Sequence, residues 1–319
     1  MNKGITEDVS PFLKDILKGL KAKHKYLSSK YFYDEVGDGL FQQIMHMEEY
    51  YLTRKELSIF EGQKQQILEA LGQDQPFRII ELGAGDGLKT QVLLKYFQKQ
   101  KVDFTYTPVD ISGNVLEILG NNLKSEIPDL RFDPYEGDYF DALSQISDSQ
   151  EREVIFFLGS NIGNFPKEEA ASFLSEIQSF LKPNDLLFMG IDLKKDPLKI
   201  LAAYNDKKGI TASFNLNLLD RINKELDGNF DGASFLHHPT YNPQTGECRS
   251  YLISKKDQNV RIGDELIFIR AWEAIFMEIS KKYDEVQILE LAENTGFKPV
   301  ASFYDSERWF TDVVWEVKS

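Results

Sequence analysis

The sequence predicts an α/β fold, a mostly parallel, doubly wound sheet interrupted by an inserted α+β unit. Three observations carry this expectation. From "PFRIIEL" to "DLLFMGIDL", short apolar runs alternate with helix-length amphipathic runs, the pattern of right-handed crossovers between parallel strands. After residue 195 the alternation fails, and it resumes only near the end of the chain. The first apolar run also ends in "ELGAGDGLKT", an acidic residue and three alternating glycines placed where the first crossover helix begins.

The elements follow in order. Residues 8–20 read as a helix, with Phe12, Leu13, Ile16, Leu17 and Leu20 at three- and four-residue spacing. The stretch "YFYDEVGDGLFQQIMHMEEYYLTRKE" is dense in aromatics and carboxylates. Its tyrosines Tyr31, Tyr33, Tyr50 and Tyr51 suit packing between helices or the lining of a small-ligand site. "PFRIIEL" reads as a strand, "LKTQVLLKYFQKQ" as a helix, "DFTYTPVDIS" as a strand and "GNVLEILGNNLKSE" as a helix. "LRFDPYEGDYF" reads as a strand with its exit loop, "REVIFFLGSNIGNF" as another strand, "KEEAASFLSEIQSFL" as a helix and "DLLFMGIDL" as a strand. The stretch from "PLKILAAYND" to "KELDGNF" is predominantly helical, and the runs from "SFLHHPTYN" to "MEISKKY" suit antiparallel strands. "DEVQILELAENTGF" returns to helix before two final strands in "KPVASFYDSERWFTDVVWEV". The division expected is 1–60 and 195–285 as a substrate domain, with 61–194 and 286–319 as the sheet domain. The N-terminal segment is expected to pack on the inserted cap.

With 37 basic and 51 acidic residues the 319-residue chain carries a formal charge of -14, which repels nucleic-acid backbones and anionic membranes. The single cysteine, Cys248, has no partner for an internal disulfide. With no signal peptide or long apolar span, a soluble, cytoplasmic, monomeric protein is expected. No metal is expected: His237 and His238 are adjacent and point opposite ways in a strand, and His24 and His46 lack ligand-spaced partners.

The glycine loop lies at the first βα turn, where open α/β sheets bind ligands. A nucleoside triphosphate calls for Gly-Lys-Ser/Thr, but Leu88 separates Gly87 from Lys89. A nicotinamide dinucleotide calls for G-x-G-x-x-G, whereas Gly83, Gly85 and Gly87 are spaced G-x-G-x-G. The third candidate is S-adenosylmethionine, whose carboxylate suits backbone N–H groups and whose positive groups suit carboxylates such as Glu81. Asp110, at the end of the second strand, suits two ribose hydroxyls. Asp138, after the third, suits an adenine amine, with Tyr139 covering the base. Each aspartate alone reads equally as a helix cap. At the fourth strand, Asn161 and Asn164 of "FLGSNIGNF" add amides at the sheet's carboxyl edge.

At this point the sequence resembles the S-adenosylmethionine-dependent histidine Nα-methyltransferase family of ergothioneine biosynthesis. The resemblance runs over nearly the whole chain. It is carried by "YFYDEVGDGLFQQI", "EEYYLTR", "ELGAGDGLKT", "FLGSNIGNF", "DLKKDPLKILAAYND", "TASFNLNLLDRINKELDGNF" and "MEISKKY". It implies a Rossmann-like class I methyltransferase domain with a seven-stranded sheet and an inserted substrate-binding domain. It also implies S-adenosylmethionine as methyl donor and histidine as substrate. Gly83, Lys89, Asp110, Asp138 and Tyr139 match its donor site, with Tyr139 standing where the family often has Phe; Glu81 and Gly85 belong to the same loop. Tyr33, Tyr50, Tyr204, Asn164, Glu278 and Ser280 match its substrate contacts, and Tyr33 and Asn164 are the residues expected at the reacting amine. Ser250 stands where well-studied members have methionine near the imidazole, which points to a wider or more polar pocket.

The residues agree on their own terms. Glu278 and Ser280 at strand spacing face one side, and a carboxylate plus a hydroxyl can hold both nitrogens of an imidazole. The plain alternative is a half-buried strand with a polar face. Tyr50 and Tyr204 can donate to an amino-acid carboxylate, and Asn164 can accept from its ammonium. Two other readings stay open, the same chemistry on another amine such as an indole amino acid, and a donor-binding sensor or scaffold without turnover.

Overall fold

The computed structural model describes residues 10–146 and 151–318, so residues 8 and 9 of the first expected helix lie outside them. The chain divides into two compact units, Met1–Tyr51 with Asp196–Ser280 and Leu52–Lys195 with Lys281–Ser319. In chain order the helices are α1 (Pro11–Lys21), α2 (Glu35–Met45), α3 (Leu52–Leu71), α4 (Thr90–Lys99), α5 (Gly113–Glu126), α6 (Tyr139–Ile146), α7 (Lys167–Phe180), α8 (Pro197–Ala203), α9 (Ile210–Glu225) and α10 (Glu285–Asn294). The strands are β1 (Phe77–Leu82), β2 (Phe104–Asp110), β3 (Arg131–Phe132), β4 (Tyr135–Glu136), β5 (Arg152–Phe157), β6 (Leu186–Asp192), β7 (Phe235–Asn242), β8 (Glu247–Ser254), β9 (Gln258–Ile262), β10 (Glu265–Ile269), β11 (Ala274–Lys281), β12 (Phe297–Tyr304) and β13 (Phe310–Val317).

The second unit holds the large, Rossmann-like sheet, ordered β12-β13-β6-β5-β1-β2-β3, with β4 also beside β2. Strands β1, β2, β5 and β6 are parallel and β13 runs antiparallel to both its neighbours. All of β6 and nearly all of β1 and β5 are buried, which is why they read as unbroken apolar runs. Ile80, Ile155, Phe157, Leu187, Met189, Val313 and Trp315 form much of the core, with Phe173, Leu174 and Ile177 of α7 packed on it. The chain steps from β1 to β2 in one direction and returns to β5 on the other side of β1. The loops after β1 and β5 therefore flank the topological switch, the crevice where such sheets take ligands.

Two local expectations change. "LRFDPYEGDYF" is not one strand but two, β3 and β4, each two residues long and parallel to β2. Pro134 lies between them and offers no N–H to a ladder. The exit loop then runs directly into α6, an additional short helix started by Asp138, whose Oδ1 accepts from Phe140 N at 2.9 Å. Helix α3 spans Leu52–Leu71 with non-helical φ and ψ at Gln63, directly after Gly62, so residues 52–60 belong to the second unit.

The first unit combines α1, α2, α8 and α9 with a three-stranded sheet ordered β11-β8-β7 and a β9–β10 hairpin. Asp34 caps α2 through Gly37 N at 2.8 Å and accepts from Asn217 of α9 at 2.7 Å. The N-terminal segment joins the sheet, since Leu27 N donates to Phe276 O at 2.9 Å. Ile16, Leu20, Phe214, Leu218, Leu252, Ile275 and Met277 belong to this unit's own core.

Candidate active site

In the second unit, β1 hands the chain to the glycine loop. Gly83 and Gly85 have φ of +71° and +54°, a left-handed conformation that costs an L side chain free energy. At Gly83 space is equally decisive, because a Cβ there would lie 2.6 Å from Tyr139 Oη. Gly83 N and Ala84 N donate to Val109 O at 2.9 and 3.4 Å, fastening the loop to the end of β2.

Asp110 stands at that end, half-buried, accepting from Gly85 N at 3.3 Å and Ser112 N at 3.1 Å. Beside it Ile111 is 82% exposed, an apolar surface that sequence reasoning passed over. Asp138 is exposed and caps α6 through one oxygen. Tyr139 packs edge-on against Phe157 and Phe173, both with centroids at 6.4 Å. Its hydroxyl is aimed at Gly83. Burial, then the charges of Asp110 and Asp138, push the phenol up to about 12, so it remains a donor.

Glu81 has surroundings that its position in the sequence does not suggest. It is buried, Thr90 Oγ1 donates to its Oε1 at 2.7 Å and Tyr106 Oη to its Oε2 at 2.5 Å. Burial raises its pKa to about 7 against the help of those two bonds. The carboxyl ties β1 to β2 and to the first turn of α4.

Lys89 ends the loop and forms an ion pair with buried Glu56 of α3. Burial works against its charge, but the Glu56 carboxylate outweighs it and the ammonium's pKa is raised. Glu56 was missed in the sequence, although it lies at helical spacing from Leu52, Ile59 and Phe60 on the buried stripe of α3. After β5 the chain turns sharply at Ser160, φ +60°, whose Oγ accepts from Asp192 N at 2.9 Å. A Cβ on Gly163 would lie 2.7 Å from Lys281 O, so the short turn at Asn161–Asn164 is pressed close to the Lys281 backbone, while Asn164 is exposed.

The first unit gathers a second polar group. Glu278 and Ser280 share a face of β11, and Ile279 between them is buried. Glu278 Oε1 accepts from Asn215 Nδ2 of α9 and from Ser250 Oγ of β8, both at 3.2 Å. Ser280 Oγ accepts from Tyr204 Oη at 2.7 Å, and Tyr50 meets the Tyr204 ring edge-on at 6.4 Å. Glu278 and Ser280 thus each anchor a hydrogen-bonded group on one face of β11, and Tyr50 adjoins the second through the Tyr204 ring. Tyr33 is 48% exposed and packs edge-on against Phe41 and Phe214. Asn215 was also missed; its signal is an amide among the apolar positions of α9, fully buried.

Among the described residues no cluster of His, Cys, Asp and Glu is arranged to hold a metal ion, and no helix is long and apolar enough to cross a membrane. The left-handed glycines of the loop and the carboxylate of Asp110 beside it fit an adenosyl donor with an amino-acid end.

Comparison with known proteins agrees with this geometry. The family described as "Histidine-specific methyltransferase, SAM-dependent" matches residues 12–317. The chain is 36% identical to the histidine N-alpha-methyltransferase of Mycolicibacterium smegmatis and 32% identical to that of Mycobacterium tuberculosis, in each case over 94% of this chain and 90% of the relative. It is 30% identical to ergothioneine biosynthesis protein 1 of Schizosaccharomyces pombe, over 88% of this chain and 37% of that longer protein.

Proposed function

Because the chain belongs to the histidine-specific, S-adenosylmethionine-dependent methyltransferase family, we propose that it methylates the α-amino group of L-histidine, up to a trimethylated, hercynine-type product of the ergothioneine route. The observation that carries the choice of amine is the network on β11. Two neutral donors converge on Oε1 of Glu278, and Ser280 is tied to Tyr204. A carboxylate held in this way, two residues from a hydroxyl on the same face, suits the two nitrogens of an imidazole. Ser250 is fully buried and bonds to Glu278. The polar residue at this position therefore adds a donor to the carboxylate where a methionine would add only bulk.

In this reading the backbone of Gly83 and Gly85 with Lys89 takes the donor's amino-acid end, Asp110 the ribose hydroxyls, and Asp138 with Tyr139 the adenine side. Tyr50 and Tyr204 hold the substrate's carboxylate end, and Asn164 with Tyr33 the amine. Bound S-adenosylmethionine supplies a methyl group on a sulfonium, so the protein needs no covalent intermediate. Its task is to hold a neutral amine in contact distance and in line. An α-amine has a reference pKa of about 8, so a proton must leave before the nitrogen lone pair can form the new N–C bond. Tyr33, exposed to solvent along one side, passes that proton to water. We also take the protein to act as a cytoplasmic monomer without a nucleic-acid partner. The charge of -14 supports the last point, and light scattering coupled to gel filtration tests the oligomeric state.

The deciding experiment is incubation with donor and histidine followed by mass spectrometry of the amino acid. Stepwise gain of one to three methyl groups is expected. Donor binding without any gain on histidine sinks the substrate assignment. Turnover confined to an indole amino acid would move it to another amine, and donor binding with no turnover on a panel of amines would point to a sensor.

A further inference from the structure

Behind Lys89 of the glycine loop stand two buried acids, Glu56 and Asp312, that the scheme above leaves unused. Glu56 reaches the sheet from α3 through a notch at Gly190 of β6, where a Cβ would overlap its Oε1. Oε1 accepts from Gly159 N at 2.7 Å, and Oε2 takes the Lys89 ammonium. Opposite Gly190 in register, on β13, stands Asp312. It is fully buried, and neither of its oxygens meets an N–H or hydroxyl donor among the described residues.

An ionised carboxylate without donors is strongly disfavoured in such a place. Burial first, and then the charge of Glu56, hold the Asp312 carboxyl well above the usual carboxylate range. Protonated Asp312 can donate to Glu56, so the two acids share one proton. Glu56 then collects three donors, the Gly159 N–H, the Lys89 ammonium and the Asp312 hydroxyl. Lys89 has a flexible four-carbon stem, and this anchor keeps its Nζ 3.5 Å from where a Gly159 Cβ would sit, with 21% of the side chain exposed.

We propose that Glu56 and Asp312 are positioning residues for the methyl donor, which fix the Lys89 ammonium at the Gly159 edge of the loop so that it meets the donor's carboxylate. This rests on the reading of the second unit as the donor site and is independent of which amine is methylated. Two plain alternatives are an ion pair that serves folding alone and a Lys89 that never contacts the ligand.

The test compares calorimetric affinities for S-adenosylhomocysteine and S-adenosyl-3-thiopropylamine, the same molecule without its carboxylate, in wild type, Lys89→Met, Glu56→Gln, Asp312→Asn and Asp312→Ala. Wild type should prefer the carboxylate-bearing ligand by about tenfold or more, the range of a charge-assisted hydrogen bond. Lys89→Met and Glu56→Gln should both lose the preference. Asp312→Asn should keep it, because an amide N–H replaces the acid O–H, while Asp312→Ala should lose most of it. The preference is a ratio within one protein, so a loss of stability shared by both ligands does not imitate the effect. Full preference in folded Glu56→Gln, equal behaviour of Asp312→Asn and Asp312→Ala, or no preference in wild type overturns the proposal. If Glu56→Gln does not fold, the two Asp312 variants decide. Absence of any S-adenosylhomocysteine binding to wild type would sink the donor reading itself, and the inference with it.

Discussion

Replacing Glu278 with alanine probes the choice of substrate most directly. The change removes the acceptor of Asn215 Nδ2 and Ser250 Oγ, but the amide keeps Thr211 O at 3.1 Å, so its helix retains a partner for it. The expected loss is one charge-assisted hydrogen bond to the ring, about 1.5–3 kcal/mol, or roughly 10- to 150-fold in KM for histidine. The reacting nitrogen lies at the other end of the substrate, so kcat at saturation should fall much less, the mark of lost uniform binding. Glutamine is not a mild substitute. Both donors converge on Oε1, which favours the amide oxygen there and leaves an N–H group facing the ring where an acceptor is needed. Glu278→Gln should therefore resemble Glu278→Ala. Initial rates of S-adenosylhomocysteine release give KM and kcat, with affinity for that product as the control. An unchanged KM for histidine in a folded Glu278→Ala protein would refute the imidazole assignment.

Three further outcomes follow from the donor side. Burial raises the Glu81 pKa to about 7 in the folded chain, against an ordinary glutamate value of 4.5 in the unfolded one. The native state therefore binds more protons between these values, and stability falls as pH rises through that window, by roughly 3 kcal/mol in all. Glu81→Gln should flatten this part of the Tm-against-pH curve, and parallel curves for the two proteins would contradict the shift. Gly83→Ala, with a Cβ 2.6 Å from Tyr139 Oη at φ +71°, should abolish measurable donor binding. Adding Tyr139→Phe should recover only part of it, because the backbone conformation is still opposed. Asp110→Asn should weaken donor binding by about tenfold or more while leaving histidine affinity unchanged, as measured by calorimetry with each ligand separately.

The large sheet was legible because its central strands are buried on both faces, so each appears as a continuous apolar run between turn signals. The glycine loop was legible because its backbone conformation excludes most other residues. The break at β3 and β4 was less so, since Pro134 interrupts the ladder without ending the apolar pattern. Helix α6 was missed because its start, Asp138, also looks like a site residue, and a single side chain can be both cap and candidate ligand. Tertiary pairings were beyond local pattern altogether. Asn215 and Ser250 meet Glu278 across 63 and 28 residues of chain, and only the fold brings α9, β8 and β11 together. Buried Asp312 left a trace as an acid within the apolar run "FTDVVWEV", and Glu56 as an acid at helical spacing from Leu52, Ile59 and Phe60, but such a trace does not say what the acid touches.

The burial of these acids bears on how a sulfonium should be held. An acidic loop suggests that carboxylates stabilise the donor's positive centre, yet methyl transfer disperses that charge in the transition state. Strong ion pairing to the sulfonium would then favour the ground state over the transition state and slow the chemistry. Glu81 is bonded to Thr90 and Tyr106, and the fully buried Asp312, facing Glu56, has its carboxyl held well above the usual carboxylate range. The charged side chains assigned to the donor, Asp110, Asp138 and Lys89, bear instead on the ribose, the adenine and the carboxylate, which do not change during the reaction. Binding free energy drawn from those parts is retained by the product. S-adenosylhomocysteine should accordingly bind at least as tightly as S-adenosylmethionine and inhibit competitively against it. If calorimetry shows the sulfonium form bound much more tightly than the thioether, a carboxylate must act on the positive centre after all, and the assignment of Glu81 to the loop's internal bonding fails.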